Sequence, residues 1–166
     1  MKGDKDVLAD LQTALTMEFT AVHQYMLHSH VLEDWGLDRL AAKMREEMQE
    51  EMGHAQQFMA RIMFLDGEPD AQSMNSVARS QSLKDMFEAD LRDEYEARAF
   101  YTDASNRAHA ANDLGTRDMF ATIALDEEGH IEWLETQIGL LERMGEPGFY
   151  QLYASGGGGE ANAETA

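Results

Sequence analysis

Apolar residues recur every three or four positions through four long stretches of this chain, the spacing that lines one face of an α-helix. The first stretch runs from about Asp4 to Trp35, with Gly36 placed as a stop. The second opens at Asp38, expected as its N-cap, and ends at Asp66 before Gly67 and Pro69. The third opens at Ser82, with Asp85 three residues on in a capping-box arrangement, and fades near Asn112. The fourth begins after Thr116 and closes at Gly145. Each spans roughly 28 to 32 residues, or about 40 to 48 Å at 1.5 Å per residue, which suits the helices of a bundle. Short links join the first to the second and the third to the fourth, whereas about fifteen residues, Gly67 to Gln81, join the second to the third. The predicted fold is all-α: an antiparallel four-helix bundle with one long crossover. After Pro147, Gly148 to Tyr153 is expected as a short fifth helix. Residues 1–153 then form one domain, and the glycine-rich tail 154–166 is expected to be disordered.

The inward stripes carry charge where apolar residues belong. In the first helix the stripe reads Leu11, Leu15, Glu18, Val22, Tyr25, Ser29, Leu32; in the second, Leu40, Met44, Glu47, Glu51, His54, Phe58, Leu65. The third gives Leu83, Phe87, Asp90, Glu94, Ala97, Tyr101, and the fourth Phe120, Ala124, Glu127, His130, Leu134, Leu141. Several carboxylates buried together must take up protons or find cations. With no arginine or lysine on the central stripe positions, a salt-bridge network has little to balance them, and a divalent metal pair supplies the compensation.

An internal repeat sharpens this reading. At one fixed offset of 76 residues, Glu18 matches Glu94, Tyr25 matches Tyr101, Glu51 matches Glu127, His54 matches His130, and Leu15 matches Leu91. Two ExxH occurrences alone are weak evidence in a chain rich in glutamate; the shared offset is what carries weight. Residues three apart lie on one helical face, so each ExxH is a two-point clamp, and two helix pairs packed face to face bring six ligands together with approximate two-fold symmetry. Mixed carboxylate and imidazole ligation suits iron or manganese.

Composition narrows the function classes. The 32 acidic residues against 13 basic ones give a formal charge of -19, which disfavours a nucleic-acid surface and favours a protein that handles cations. Cysteine is absent, which leaves Glu, Asp, His and Met as metal ligands. The opening Met1 to Asp6 lacks the basic-then-apolar pattern of a secretory leader, and no apolar run approaches a membrane span, so a cytoplasmic protein is expected.

At the segments EEMGHAQQF, NDLG and DEEGHIEWLETQI, and from the opening MKGD to about Tyr153, the sequence resembles the bacterioferritin family of ferritin-like proteins. The resemblance implies a homo-oligomeric shell of 24 subunits, a di-iron ferroxidase centre within each subunit, and haem b shared between two subunits through a methionine from each, here Met52. It implies that Glu51 and Glu127 bridge two irons, with Glu18 and His54 completing one and Glu94 and His130 the other. The reaction implied is oxidation of Fe(II) by oxygen or hydrogen peroxide, with ferric mineral stored in the shell and a ferredoxin-type reductant for release. Tyr25 is a candidate redox partner or hydrogen-bond donor. Glu47 and Glu50 are candidates to relay iron between centre and cavity, while Glu46 stands where some relatives have histidine. Asp126 and Glu128 receive no role, and His23, His28, His30 and His109 are read as surface or packing residues. The competing readings are a di-iron oxidase, peroxidase or di-manganese catalase that stores nothing, and a non-catalytic shell subunit, against which the complete ligand set argues.

Overall fold

The computed structural model describes residues 1–154, so the expected disorder of the tail from residue 155 onward lies outside the described residues. Four helices, α1 (Lys5–Asp34), α2 (Asp38–Phe64), α3 (Leu83–Ala110) and α4 (Leu114–Tyr153), form the antiparallel bundle with its long crossover. Among the described residues there is no strand, and no helix is long and apolar enough to cross a membrane.

Local chemistry sets the boundaries. The Asp4 carboxylate accepts from the N–H groups of Asp6 and Val7, at 2.9 and 3.3 Å, and satisfies the open first turn of α1. Gly36, at φ 75°, takes the left-handed conformation that ends α1 without a Cβ clash. Asp38 is not the cap of α2 but its first residue. Leu37 holds the cap position with no side-chain hydrogen bond, and its complete burial is what fixes the turn. Ser82 Oγ accepts from the N–H of Asp85 at 3.1 Å, as the sequence suggests for α3. The start of α4 comes earlier than expected because Asp113 caps it, accepting from the Thr116 N–H at 3.0 Å and its hydroxyl at 2.7 Å.

The helical backbone breaks at Gly145 (φ 67°, ψ 163°) and resumes to Tyr153, with Pro147 in the first turn beyond the break where its missing N–H costs nothing. The segment expected as a fifth helix is therefore the end of α4 past a kink. Phe149 is fully buried and meets the ring of Phe87 at 6.0 Å, which folds this end back onto the bundle.

Two apolar clusters fill the interior. One gathers Leu11, Leu15, Phe58, Tyr101 and Phe120; the other gathers Leu32, Leu40, Met44, Phe87, Leu134 and Phe149. The crossover is stitched to α1 by backbone bonds from side chains on one face: Gln12 to Asp70, Thr20 to Asn75, and Gln24 to Ala78. At one end of the bundle Arg61 bonds Asp113 at 2.5 Å and Thr116 at 2.9 Å, tying α2 to the cap of α4. Arg61→Ala is expected to cost about 1.5–3 kcal/mol, the range for hydrogen bonds to charged groups. A lower denaturation midpoint at unchanged helicity checks it.

Candidate di-metal centre

All six sequence-predicted ligands converge in the bundle core. Glu18 comes from α1, Glu51 and His54 from α2, Glu94 from α3, and Glu127 and His130 from α4, and none is more than 7% exposed. Their ligand atoms form two overlapping groups, each within 4.8 Å: Glu18, Glu51, His54 and Glu127; and Glu51, Glu94, Glu127 and His130. Glu51 and Glu127 belong to both. Nδ1 of His54 lies 3.0 Å from Glu51, and Nδ1 of His130 lies 3.0 Å from Glu127, 3.3 Å from Glu51 and 3.5 Å from Glu94. The (i, i+3) clamp read from ExxH is thus present twice.

The charge balance shows what such a site demands. Burial, with Glu51 and Glu127 close by, pushes the Glu18 carboxyl well above the usual range. Burial also carries Glu127 up to about 9, although the imidazole of His130 close by works to lower it. Glu51 goes the other way: burial works to raise it, but the nearby imidazole of His130 and the hydrogen bond from His54 outweigh this and hold it at about 2. Burial would lower His130, yet the carboxylates of Glu127, Glu47, Glu51 and Glu94 outweigh it and raise the imidazole. Protons thus stand in for cations in the metal-free cluster. Glu47 Oε2, Glu127 Oε2 and both ring nitrogens of His130 are buried without an aligned hydrogen bond. These orphaned atoms, with an all-oxygen and nitrogen donor set, fit a pair of iron or manganese ions.

Each tyrosine of the repeat serves the opposite half. Tyr25 donates its hydroxyl proton to Glu94 Oε1, and Tyr101 donates to Glu18 Oε1 at 2.6 Å. Tyr101 receives no role in the sequence reading, although its repeat relation to Tyr25 is the signal that points to one. A cavity of about 210 Å³ between α1, α3 and the crossover is lined by both tyrosines and by Glu18, Glu51, Glu94 and Glu127.

The flanking residues divide. Glu47 is buried, bonded to Lys43, with Oε2 2.9 Å from Nε2 of His130. Glu50 is half-exposed and lies 3.7 Å from the same nitrogen. Asp126, given no role from sequence, lies 3.5 Å from Nε2 of His54, mirroring Glu50 across the repeat. Met52 is 37% exposed and faces away from the ligand cluster. His30 and His109 are exposed and His23 half-buried, whereas His28 is fully buried and paired with Asp90, a polar contact that its spacing does not announce.

Bundle, crossover and paired ExxH clamps define a ferritin-like protein, and the Ferritin-like domain family matches residues 8–144. The chain is 41% identical to the bacterioferritin of Rhodobacter capsulatus and 43% identical to that of Brucella melitensis, each over 93% of this chain and 96% of the relative. The solved Rhodobacter capsulatus bacterioferritin superposes with a TM-score of 0.91 at 41% identity, covering 93% of this chain and 97% of that one. Mycobacterium tuberculosis bacterioferritin BfrA does so with 0.91 at 39%, covering 93% and 98%. The chain belongs to the bacterioferritin family.

Proposed function

We propose that this protein is an iron-storage ferroxidase, cytoplasmic and assembled as a shell of 24 copies. The observation that carries the reading is the buried set of four glutamates and two histidines in two groups sharing Glu51 and Glu127. Glu51 and Glu127, common to both groups, would be shared by the two irons, with Glu18 and His54 completing one position and Glu94 and His130 the other. Two Fe(II) give one electron each to dioxygen, which takes up two protons and leaves as hydrogen peroxide; peroxide can in turn accept two electrons and two protons to become water. Carboxylates favour Fe(III) because they neutralise its added charge. Tyr25, bonded to Glu94, is placed to pass a proton or an electron at that edge. Glu47 and Glu50 relay ferric iron past His130 toward the cavity, and a ferredoxin-type reductant releases it.

Haem b would be shared by two subunits and held by Met52 of each, which is 37% exposed on α2 beside the buried Glu51. The Rhodobacter capsulatus structure is described with a metal-free dinuclear site and haem iron in a crystallographic special position, in keeping with a shared haem. Bound there, haem supplies one-electron chemistry. Met52→Leu is expected to assemble but to lose the haem absorption band.

The direct test loads the metal-free assembly with Fe(II), admits oxygen, and counts irons oxidised in the fast phase. Two per subunit, abolished by Glu18→Ala and by His130→Ala, supports the proposal. A fast phase that is missing or survives both substitutions overturns it, and fast oxidation by an assembly that retains no mineral favours a non-storing oxidase.

A further inference from the structure

The repeat makes the two metal positions look equivalent, and one buried pair breaks that equivalence. His28 on α1 and Asp90 on α3 are 1% and 3% exposed, with Nδ1 to Oδ2 at 3.1 Å. At the 76-residue offset their counterparts are Ala104 and Ala14, both buried in the apolar cluster of the other half. A polar pair therefore stands in one half where the other is packed with methyl groups.

The hydrogen bonds around His28 settle where its proton sits. The Gln24 amide makes two bonds with the crossover backbone, donating from Nε2 to Ala78 O at 2.9 Å and accepting at Oε1 from the Ala78 N–H at 3.1 Å. That double contact fixes which end of the amide is nitrogen. The same Nε2 lies 2.7 Å from Nε2 of His28, so the amide donates and the ring nitrogen accepts. The imidazole proton is then on Nδ1, directed at Asp90. Asp90 thus accepts the Nδ1–H of His28; burial works to raise its carboxyl above the usual range and that bond works against it, so a cation nearby is what favours the carboxylate form. Asp90 sits one helical turn before Glu94 on the same face of α3 and lines the same cavity as Glu94 and Tyr25.

Resting on the di-metal reading above, we infer that Asp90, held by His28 through Gln24 and the crossover, is a positioning residue that strengthens cation binding selectively at the Glu94–His130 position. The Glu18–His54 position has Ala14 and Ala104 in its place and receives no such charge. The crossover, by fixing Gln24, sets the tautomer that directs the His28 Nδ1–H at Asp90.

The test uses Co(II), which reports binding without iron oxidation, on assembled metal-free protein. Glu18→Ala isolates the Glu94–His130 position and Glu94→Ala isolates the other. His28→Ala/Asp90→Ala, which places at these positions the residues of the opposite half, is expected to weaken Co(II) about tenfold or more in the Glu18→Ala background, and to leave the Glu94→Ala background unchanged. Asp90→Asn, which keeps the shape and removes the charge, is expected to reproduce the loss, as a purely structural role does not. An equal loss in both backgrounds, no loss in either, or full affinity in Asp90→Asn overturns the inference. Parent protein that fails to bind two Co(II) per subunit sinks the di-metal reading as well, whereas two ions bound with no selective effect sinks this inference alone.

Discussion

Glu51→Ala and Glu127→Ala each lower the fast phase of iron oxidation by roughly a hundredfold or more and remove both Co(II) binding events, whereas Glu18→Ala removes only one. The asymmetry follows from ligand sharing: Glu51 and Glu127 belong to both four-residue groups, but Glu18 belongs to one. Loss of a residue that merely orients a metal ligand costs 10–100-fold in affinity or activity, so loss of a ligand to both ions is expected at or beyond the upper end. Losing either shared carboxylate leaves each four-residue group with three candidate ligands, where losing Glu18 depletes only one group. Stoichiometry separates this from a general loss of structure. A Glu51→Ala protein that keeps its helicity and assembly but binds no Co(II) tightly confirms the sharing; one that retains a single tight site shows that Glu51 is a terminal ligand of one ion. Glu127→Ala must behave the same way, since the repeat relates the two residues.

The centre was legible in the sequence because its residues repeat. Identical offsets for Glu18, Glu51, His54 and their partners select six residues out of 32 acids and six histidines, and the structure brings all six together. The same criterion is blind to whatever the repeat does not copy. His28, Asp90 and Glu47 correspond to Ala104, Ala14 and Ile123; the stripes turn Asp90 and Glu47 inward, but only packing shows that His28 is buried with them and that all three lie on the Glu94–His130 side. In the fold, the stripes give every helix, while the missed details lie at ends where burial competes with capping. Leu37 occupies a cap position because the core takes its side chain, and Asp113 outcompetes Thr116 because its carboxylate can accept from both the N–H and the hydroxyl of that residue. The kink at Gly145 was visible as a glycine, but a stop and a bend with helix continuing beyond it read alike along the chain.

Metal-free protein loses stability as pH rises from about 6 to about 9, and a divalent metal ion protects it most at the alkaline end. The signs follow from the cluster. Glu127, at about 9, and Glu18, also well above its usual range, keep protons that an unfolded glutamate gives up near about 4.3. Between those values the folded state binds more protons than the unfolded one, so stability falls with increasing pH. His130 works in the same direction: its raised imidazole contributes fully below an unfolded value of about 6.5, and that contribution is lost as pH climbs toward the folded value. Glu51, at about 2, opposes them only in acid, since its contribution is complete above the unfolded value and is lost as pH falls toward 2. Each retained proton gives a slope of about 1.4 kcal/mol per pH unit while its folded and unfolded states differ fully. Metal ions displace these protons and take over the charge balance, so binding tightens with pH and the loaded protein keeps a flatter profile. Thermal midpoints measured with and without Co(II) across this range check both halves. A metal-free midpoint that stays level from about pH 6 to 9 shows that the carboxylates shed their protons without cost, which requires the cluster to open to water when empty. A midpoint that falls, with a Co(II) increment that grows as it falls, shows that Glu18, Glu51, Glu94 and Glu127 remain shut in the core and that a cation relieves the cost of their charge there.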